Sequence, residues 1–227
     1  MSQNGQKENK IMKKTLKECQ DLVYKWNGNK YFQDSYRHQE QYYLPDIVKE
    51  LEGKTFENGL DIGPGYGSLS LWLKINKITK NQKMLDIMPI DHWIMYDFLQ
   101  KYSLKFQQKS VFELDEVENY DLITCTQVFP HLKFRPDLAI KNIYNALKDG
   151  GIFTSCVLNM KDHPHVDSDF YGEWEKVPEF KTAEESPSMV ICMFSIEDYE
   201  RLLRTSFNDI KIYINDNKLE IIAVCTK

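Results

Sequence analysis

The stretch Leu60-Asp61-Ile62-Gly63-Pro64-Gly65-Tyr66-Gly67 constrains this chain more than any other. A short apolar run ends in an acid and passes through glycines at 63, 65 and 67. It then enters Ser68-Leu69-Ser70-Leu71-Trp72-Leu73, whose Leu69, Trp72 and Leu73 share a helical face. The spacing predicts strand, tight turn, helix. Glycine serves in such a turn because the backbone must reach positive φ and approach a ligand with no Cβ between them. The helix start that follows presents unpaired N–H groups and a partial positive charge, which suits a carboxylate or a phosphate.

Two ligand classes are set aside by single residues. A dinucleotide fingerprint places a third glycine three positions after the second, and Ser68 stands there. A phosphate-binding P-loop needs Gly-Lys-Ser/Thr at the helix start, and Gly67-Ser68-Leu69 has no lysine. What remains is an acid two residues ahead of Gly-x-Gly-x-Gly. In this the chain resembles the class I S-adenosylmethionine-dependent methyltransferases of the small-molecule type, whose first motif reads acid-x-Gly-x-Gly-x-Gly and matches Asp61 to Gly67 position for position.

The downstream segments carry the resemblance further. Lys83-Met84-Leu85-Asp86 reads as a short second strand ending in an acid, 19 positions after Gly67. That is close to the ~20 expected for a carboxylate that accepts both ribose hydroxyl protons. Asp86 could equally cap a helix, since Pro89 follows it. If Asp86 holds a ribose, Ile87 and Met88 come next as apolar contacts for an adenine ring. Leu104 to Gln108 is a candidate third strand, and Tyr120 to Thr126 a fourth. After the third strand the family commonly presents an aspartate to the adenine amino group. Here Ser110 holds that position, which makes the Val111 backbone N–H the steadier contact. Beyond the fourth strand, Gln127-Val128-Phe129-Pro130-His131 occupies the carboxyl edge, where open α/β sheets bind ligands. His131 could act as a general base on the acceptor or simply bond its loop backbone.

A helix started by Arg135-Pro136-Asp137 buries Ile140, Ile143, Tyr144 and Leu147 and stops at Lys148-Asp149-Gly150-Gly151. This stop resembles the family's Leu-Lys-Pro-Gly-Gly turn. Ile152 to Leu158 is the buried fifth strand. Ser195-Ile196-Glu197-Asp198 signals a capped helix, and Ile210–Ile214 and Leu219–Cys225 read as a closing hairpin around Asn215-Asp216-Asn217. The fold class implied is α/β: a Rossmann-like, doubly wound, seven-stranded and mostly parallel sheet with an antiparallel C-terminal strand, helices on both faces.

Three segments lie outside that pattern. Residues 1–14 read as a disordered basic leader. Residues 15–55 read as a helical cap, with Leu16 to Trp26 helical and a second helix able to start at Pro45 and end at Gly53. Five aromatics between Tyr31 and Tyr43 make this either a packed amphipathic helix or a cover over the site, with Tyr36 a substrate-binding candidate. Residues 56–227 would form the methyltransferase domain, interrupted by a lid-like insertion at about 160–190. Met160 to Val190 holds eight acids against three lysines, interleaved with Phe170, Tyr171, Trp174 and Phe180. Such a run is a solvated face or an acceptor-covering lid in which Trp174 favours an ammonium group. His163, His165, Asp167 and Asp169 are metal ligands by type, but a loop seldom fixes four ligands in one geometry, and no metal is expected.

Composition bounds the rest. At 227 residues, with 42% hydrophobic and 13% aromatic content, one large domain can bury a core. Residues 1–17 carry five lysines and one glutamate, so the net charge of -5 becomes -9 without them. An acidic body repels a phosphate backbone, which ranks nucleic-acid substrates low. No apolar run approaches the ~20 residues of a membrane span, and Met1 to Gln20 lacks a signal-peptide core, so a cytoplasmic location is expected. Cys19, Cys125, Cys156, Cys192 and Cys225 contain no Cys-x-x-Cys pair and read as reduced thiols.

The resemblance implies S-adenosyl-L-methionine as cofactor, with Asp61, Gly63, Gly65, Gly67, Asp86, Ile87, Ser110, Val111 and Gln127 around it. It implies a small-molecule methyl acceptor, an amine among the candidates, near His131. An Asn/Asp-Pro-Pro-aromatic tetrad of the kind used on nucleobases is missing after the fourth strand, where Thr126-Gln127-Val128-Phe129 stands. An RNA or protein methyltransferase and a non-catalytic cofactor-binding subunit of a methyltransferase complex are the competing readings.

Overall fold

Seven strands pair into one sheet in the computed structural model, which describes residues 13–26, 30–89, 96–132, 135–159 and 194–227, with the backbone alone for 30–38. Helices α1 (Leu16–Trp26) and α2 (Lys30–Leu51) precede β1 (Phe56–Ile62), α3 (Ser68–Ile75) and β2 (Thr79–Asp86). Then come α4 (Tyr96–Tyr102), β3 (Lys105–Gln108), β4 (Tyr120–Thr126), α5 (Pro136–Ala146) and β5 (Leu147–Leu158). Helix α6 (Ile196–Leu203), β6 (Asp209–Ile214) and β7 (Glu220–Thr226) close the chain. Single 3-10 turns at Val111–Glu113 and Phe129–His131 follow β3 and β4.

The strand order is β3-β2-β1-β4-β5-β7-β6. Strands β1 to β5 run parallel, and β7 lies antiparallel between β5 and β6. This is the doubly wound, Rossmann-like arrangement expected, closing hairpin included. The chain winds outward from β1 to β3 and then returns to place β4 on the other side of β1. That reversal makes the carboxyl ends of β1 and β4 the switch point of the sheet, the place where open α/β sheets bind ligands.

Alternation along the strands sends side chains into two cores. Leu60, Ile62, Ile123, Phe153, Val157 and Ile221 pack with α5 and α6 through Ile140, Ile143, Tyr199 and Leu202. On the opposite face Met84, Leu122, Cys156 and Ile222 meet α1 to α4 through Val23, Ile47, Leu73 and Phe98. The central strands β1, β4, β5 and β7 are thus covered on both sides, as suits a parallel sheet, while the edge strands β3 and β6 stay partly exposed.

Three boundaries differ from those read off the sequence. The second helix does not begin at Pro45 but runs through it. Proline lacks the N–H that would bond the Gln41 carbonyl one turn back, and the neighbouring Tyr42 carbonyl accepts from Asn215 Nδ2 at 2.7 Å and Asn217 Nδ2 at 3.1 Å. Strand β2 starts at Thr79 rather than Lys83, because parallel pairing from Phe56↔Thr79 onward carries the polar Thr79-Lys80-Asn81-Gln82 into the sheet. Helix α5 stops at Ala146, so Leu147 is buried as the first residue of β5 rather than the last of the helix. Asp149 and the glycines at 150 and 151 sit in the irregular stretch between the Tyr120↔Leu147 and Leu122↔Ile152 pairings.

Residues of the lid-like insertion, with Trp174 and the His163, His165, Asp167, Asp169 set, lie outside the described residues, as do the leader up to Met12 and the side chain of Tyr36. Cys19, Cys125, Cys156 and Cys225 are buried free thiols. Burial pushes Cys19 and Cys225 up to about 12, which leaves them inert as nucleophiles. Among the described residues no helix is long and apolar enough to cross a membrane.

Candidate active site

Asp61 is the penultimate residue of β1 and is 1% exposed. It faces α3 because Leu60 and Ile62 take the opposite side of the sheet. A buried carboxylate needs donors, and two hydroxyls supply them: Ser70 Oγ donates to Oδ2 at 2.6 Å, and Thr124 Oγ1 to Oδ1 at 2.7 Å. Thr124 reaches it directly because β4 pairs in register, Asp61↔Thr124. Burial raises the carboxyl to about 6, the two hydroxyl bonds pull it down, and nearby Asp86 adds to the rise.

The turn that follows is left-handed at Gly63, Gly65 and Gly67, with φ of 62°, 53° and 82°. A Cβ at Gly63 would lie 2.2 Å from Val128 Cγ2, so the β4 loop packs directly on the turn. Gly67 is the N-cap of α3 and offers no side chain to the first turn of the helix. The N–H groups of its opening residues therefore need another acceptor. A cradle of backbone donors with a fixed acid beside it fits a ligand carrying both a carboxylate and an ammonium group.

Asp86 ends β2, next to β1, where Gly63 N donates to Leu85 O at 2.8 Å. Asp61 and Asp86 therefore lie on neighbouring strands at the same carboxyl edge. Asp86 Oδ1 accepts from Met88 N at 2.9 Å, which curls the chain after the strand and leaves Ile87 64% exposed. An apolar side chain held outward beside an acid suits a nucleoside, with the ribose on the carboxylate and the base on Ile87.

Ser110 N-caps the 3-10 turn after β3: its Oγ accepts from Phe112 N at 3.2 Å, while Glu113 accepts from Ser110 N at 3.0 Å. The hydroxyl's acceptor side is thereby engaged in a capping box. Val111 opens that turn, where a backbone N–H has no intrahelical partner. Gln127 has φ of 57° at the end of β4, and its N–H donates to Cys156 O at 3.0 Å. Its side-chain amide donates to Glu220 and so is turned toward β7. His131 is exposed on the second 3-10 turn, at the same edge of the sheet.

The structure therefore brings Asp61, the three glycines, Asp86, Ile87, Ser110, Val111, Gln127 and His131 to one edge. Sequence reasoning missed Ser70 and Thr124, the donors that fix Asp61. Their signal was present: Ser70 lies in the first turn of α3 on the strand-facing side, and Thr124 is a polar residue between the buried Ile123 and Cys125 of β4. It also missed two buried acids, Glu40 and Glu220, each 4% exposed.

The methyltransferase domain family model matches residues 36–206. Malonyl-[acyl-carrier protein] O-methyltransferase from Haemophilus ducreyi is 29% identical over 124 residues, 48% of this chain and 43% of that protein. This chain thus aligns with less than half the length of that curated relative. The N-methyltransferase NodS from Bradyrhizobium japonicum, solved with S-adenosyl-L-homocysteine, superposes with a TM-score of 0.57 at 13% identity, covering 92% of this chain and 98% of that one. The PH0226 protein from Pyrococcus horikoshii gives 0.60 at 16% identity, covering 84% and 90%. These two likenesses concern the fold. With the family model spanning most of the chain and the glycine turn in the expected place, this protein belongs to the methyltransferase domain family, of the class I S-adenosylmethionine-dependent type.

Proposed function

We propose that this chain transfers a methyl group from S-adenosyl-L-methionine to a small-molecule acceptor, with an amine as the first class to test. The observation that carries the reading is the placement of Asp61 and Asp86 at the carboxyl ends of adjacent parallel strands, with the left-handed glycine turn following Asp61. When bound, the cofactor supplies a methyl carbon already activated by its sulfonium charge.

The residues of this chain would then bind and orient. The N–H groups opening α3 receive the methionine carboxylate. Asp61, held still by Ser70 and Thr124, accepts from the methionine ammonium. Asp86 accepts from the ribose hydroxyls, Ile87 and Met88 cover the adenine, and the Val111 N–H meets its edge. The Gln127 to His131 loop borders the acceptor side, where His131 takes the proton released as the new bond forms. In-line positioning supplies most of the rate, because the electrophile arrives preactivated.

Likeness to the Haemophilus ducreyi O-methyltransferase favours a second acceptor class, a carboxylate. The experiment that separates the classes is an S-adenosylhomocysteine-release assay with amine, phenol, carboxylate and RNA acceptors. Turnover on amines supports the reading. Turnover on carboxylates alone moves it to O-methyl transfer, and turnover on RNA alone overturns the small-molecule assignment.

A further inference from the structure

Glu40 stands at the head of the buried stripe of α2, in helical register with Tyr43, Leu44, Ile47 and Leu51. An acid at a core position loses its hydration and must find donors. Glu40 finds three, all on one oxygen. Gln20 Nε2 donates to Oε2 at 2.9 Å, Tyr24 Oη at 3.1 Å and Ser68 Oγ at 3.0 Å. Gln20 and Tyr24 are one turn apart on α1, and Ser68 is the first residue of α3, directly after Gly67. One carboxylate oxygen therefore joins both N-terminal helices to the turn beneath them. A second contact supports the first: the Tyr24 ring lies 5.3 Å from that of Tyr66, the residue between Gly65 and Gly67.

We propose that Glu40 is a positioning residue of the cofactor site, locking α1 and α2 onto the first turn of α3 so that the glycine turn holds its ligand-ready shape only while the cap is docked. The proposal rests on the reading of that turn as the cofactor cradle. It makes residues 15–55 part of the binding machinery rather than an appended cover.

The titratable groups that face Glu40 are Tyr24 from α1, Asp61 from β1 and Tyr66 from the turn. Burial raises the Glu40 carboxyl to about 7; its three donors pull it down and Asp61 adds to the rise. An undocked cap would expose this carboxyl and return it toward the ordinary glutamate value. Docking then takes up a proton between those two values, so the lock is firmest on the acid side and loosens as pH rises through about 7.

The test uses the full chain with two substitutions, Glu40→Ala and Glu40→Gln, and two readouts. Hydrogen exchange without ligand follows the amides of α1 and of Ser68 to Leu71. Calorimetry follows S-adenosylhomocysteine binding. Glu40→Ala should raise exchange in both segments and weaken binding by about tenfold or more, the equivalent of one or two lost hydrogen bonds. Glu40→Gln keeps an acceptor oxygen and should restore most of both, while abolishing the decline of α1 protection between about pH 5 and pH 7. A lower melting temperature in Glu40→Ala with unchanged exchange at Ser68 to Leu71 and unchanged affinity would overturn the proposal. If the parent protein itself takes up no S-adenosylhomocysteine, the functional reading fails, and the exchange data alone still decide whether Glu40 couples the cap to the turn.

Discussion

Gln127 Nε2 donates to the carboxylate of Glu220, joining the end of β4 to the start of β7 across 93 positions of sequence. The Glu220 backbone N–H donates to Asn215 Oδ1 at 3.2 Å, and Asn215 Nδ2 in turn donates to the Tyr42 carbonyl of α2. The loop that packs on the glycine turn is thus tied, through β7, to the cap.

Burial pushes the Glu220 carboxyl up to about 8, and the Gln127 bond pulls against that rise. A folded value above the unfolded one means that this group's contribution to stability is fully present below the unfolded glutamate value and is lost as pH rises through about 8. Glu220→Gln should therefore flatten part of the fall in melting temperature between pH 5 and pH 9. Equal slopes in the two proteins would show that Glu220 does not titrate where its burial places it.

Gly63 carries both a positive φ of 62° and a Cβ-sized gap closed by Val128. Gly63→Ala should cost about 1–3 kcal/mol in urea denaturation, from backbone strain and overpacking together. Adding Val128→Ala should recover the packing part and leave the strain. Full recovery would mean that the φ value is unimportant at this turn.

Ser110 and Asp61 separate local from ligand-facing roles. Ser110→Ala removes an N-cap and should cost about 1 kcal/mol of stability while leaving S-adenosylhomocysteine affinity nearly unchanged. A large loss of affinity would instead return Ser110 to the adenine contact that its sequence position suggested.

Thr124→Val leaves the buried Asp61 carboxylate with one hydroxyl donor instead of two. The expected cost is about 1–3 kcal/mol, because a buried acceptor then goes unsatisfied. Since the bond also pulls the Asp61 carboxyl down from its raised value, the variant's cofactor affinity should begin to fall at a higher pH than in the parent, as the carboxyl protonates. Binding profiles from pH 5 to pH 8 check this, and coincident profiles would contradict it.

What was legible in the sequence was local. The β1-turn-α3 unit follows from apolar spacing and from glycines whose positive φ is a property of their own backbone. Asp86, His131 and the closing hairpin were placed by strand patterns a few residues long. What stayed hidden depends on partners far along the chain. Glu40 reads as an ordinary helix acid until Ser68, 28 positions away, is seen to donate to it. Thr79 to Gln82 look too polar for a strand until β1 pairs with them. Pro45 reads as a helix start because its missing N–H is a local signal, whereas the two asparagines that bond the nearby Tyr42 carbonyl come from the opposite end of the chain.

The most direct measurement is calorimetric titration of the purified protein with S-adenosylmethionine, alongside Asp86→Ala. Saturable one-to-one uptake, weakened about tenfold or more by the substitution, is the expected result. An absence of saturable uptake at millimolar ligand, or equal affinity in the two proteins, would contradict the assignment of this carboxyl edge as a cofactor site.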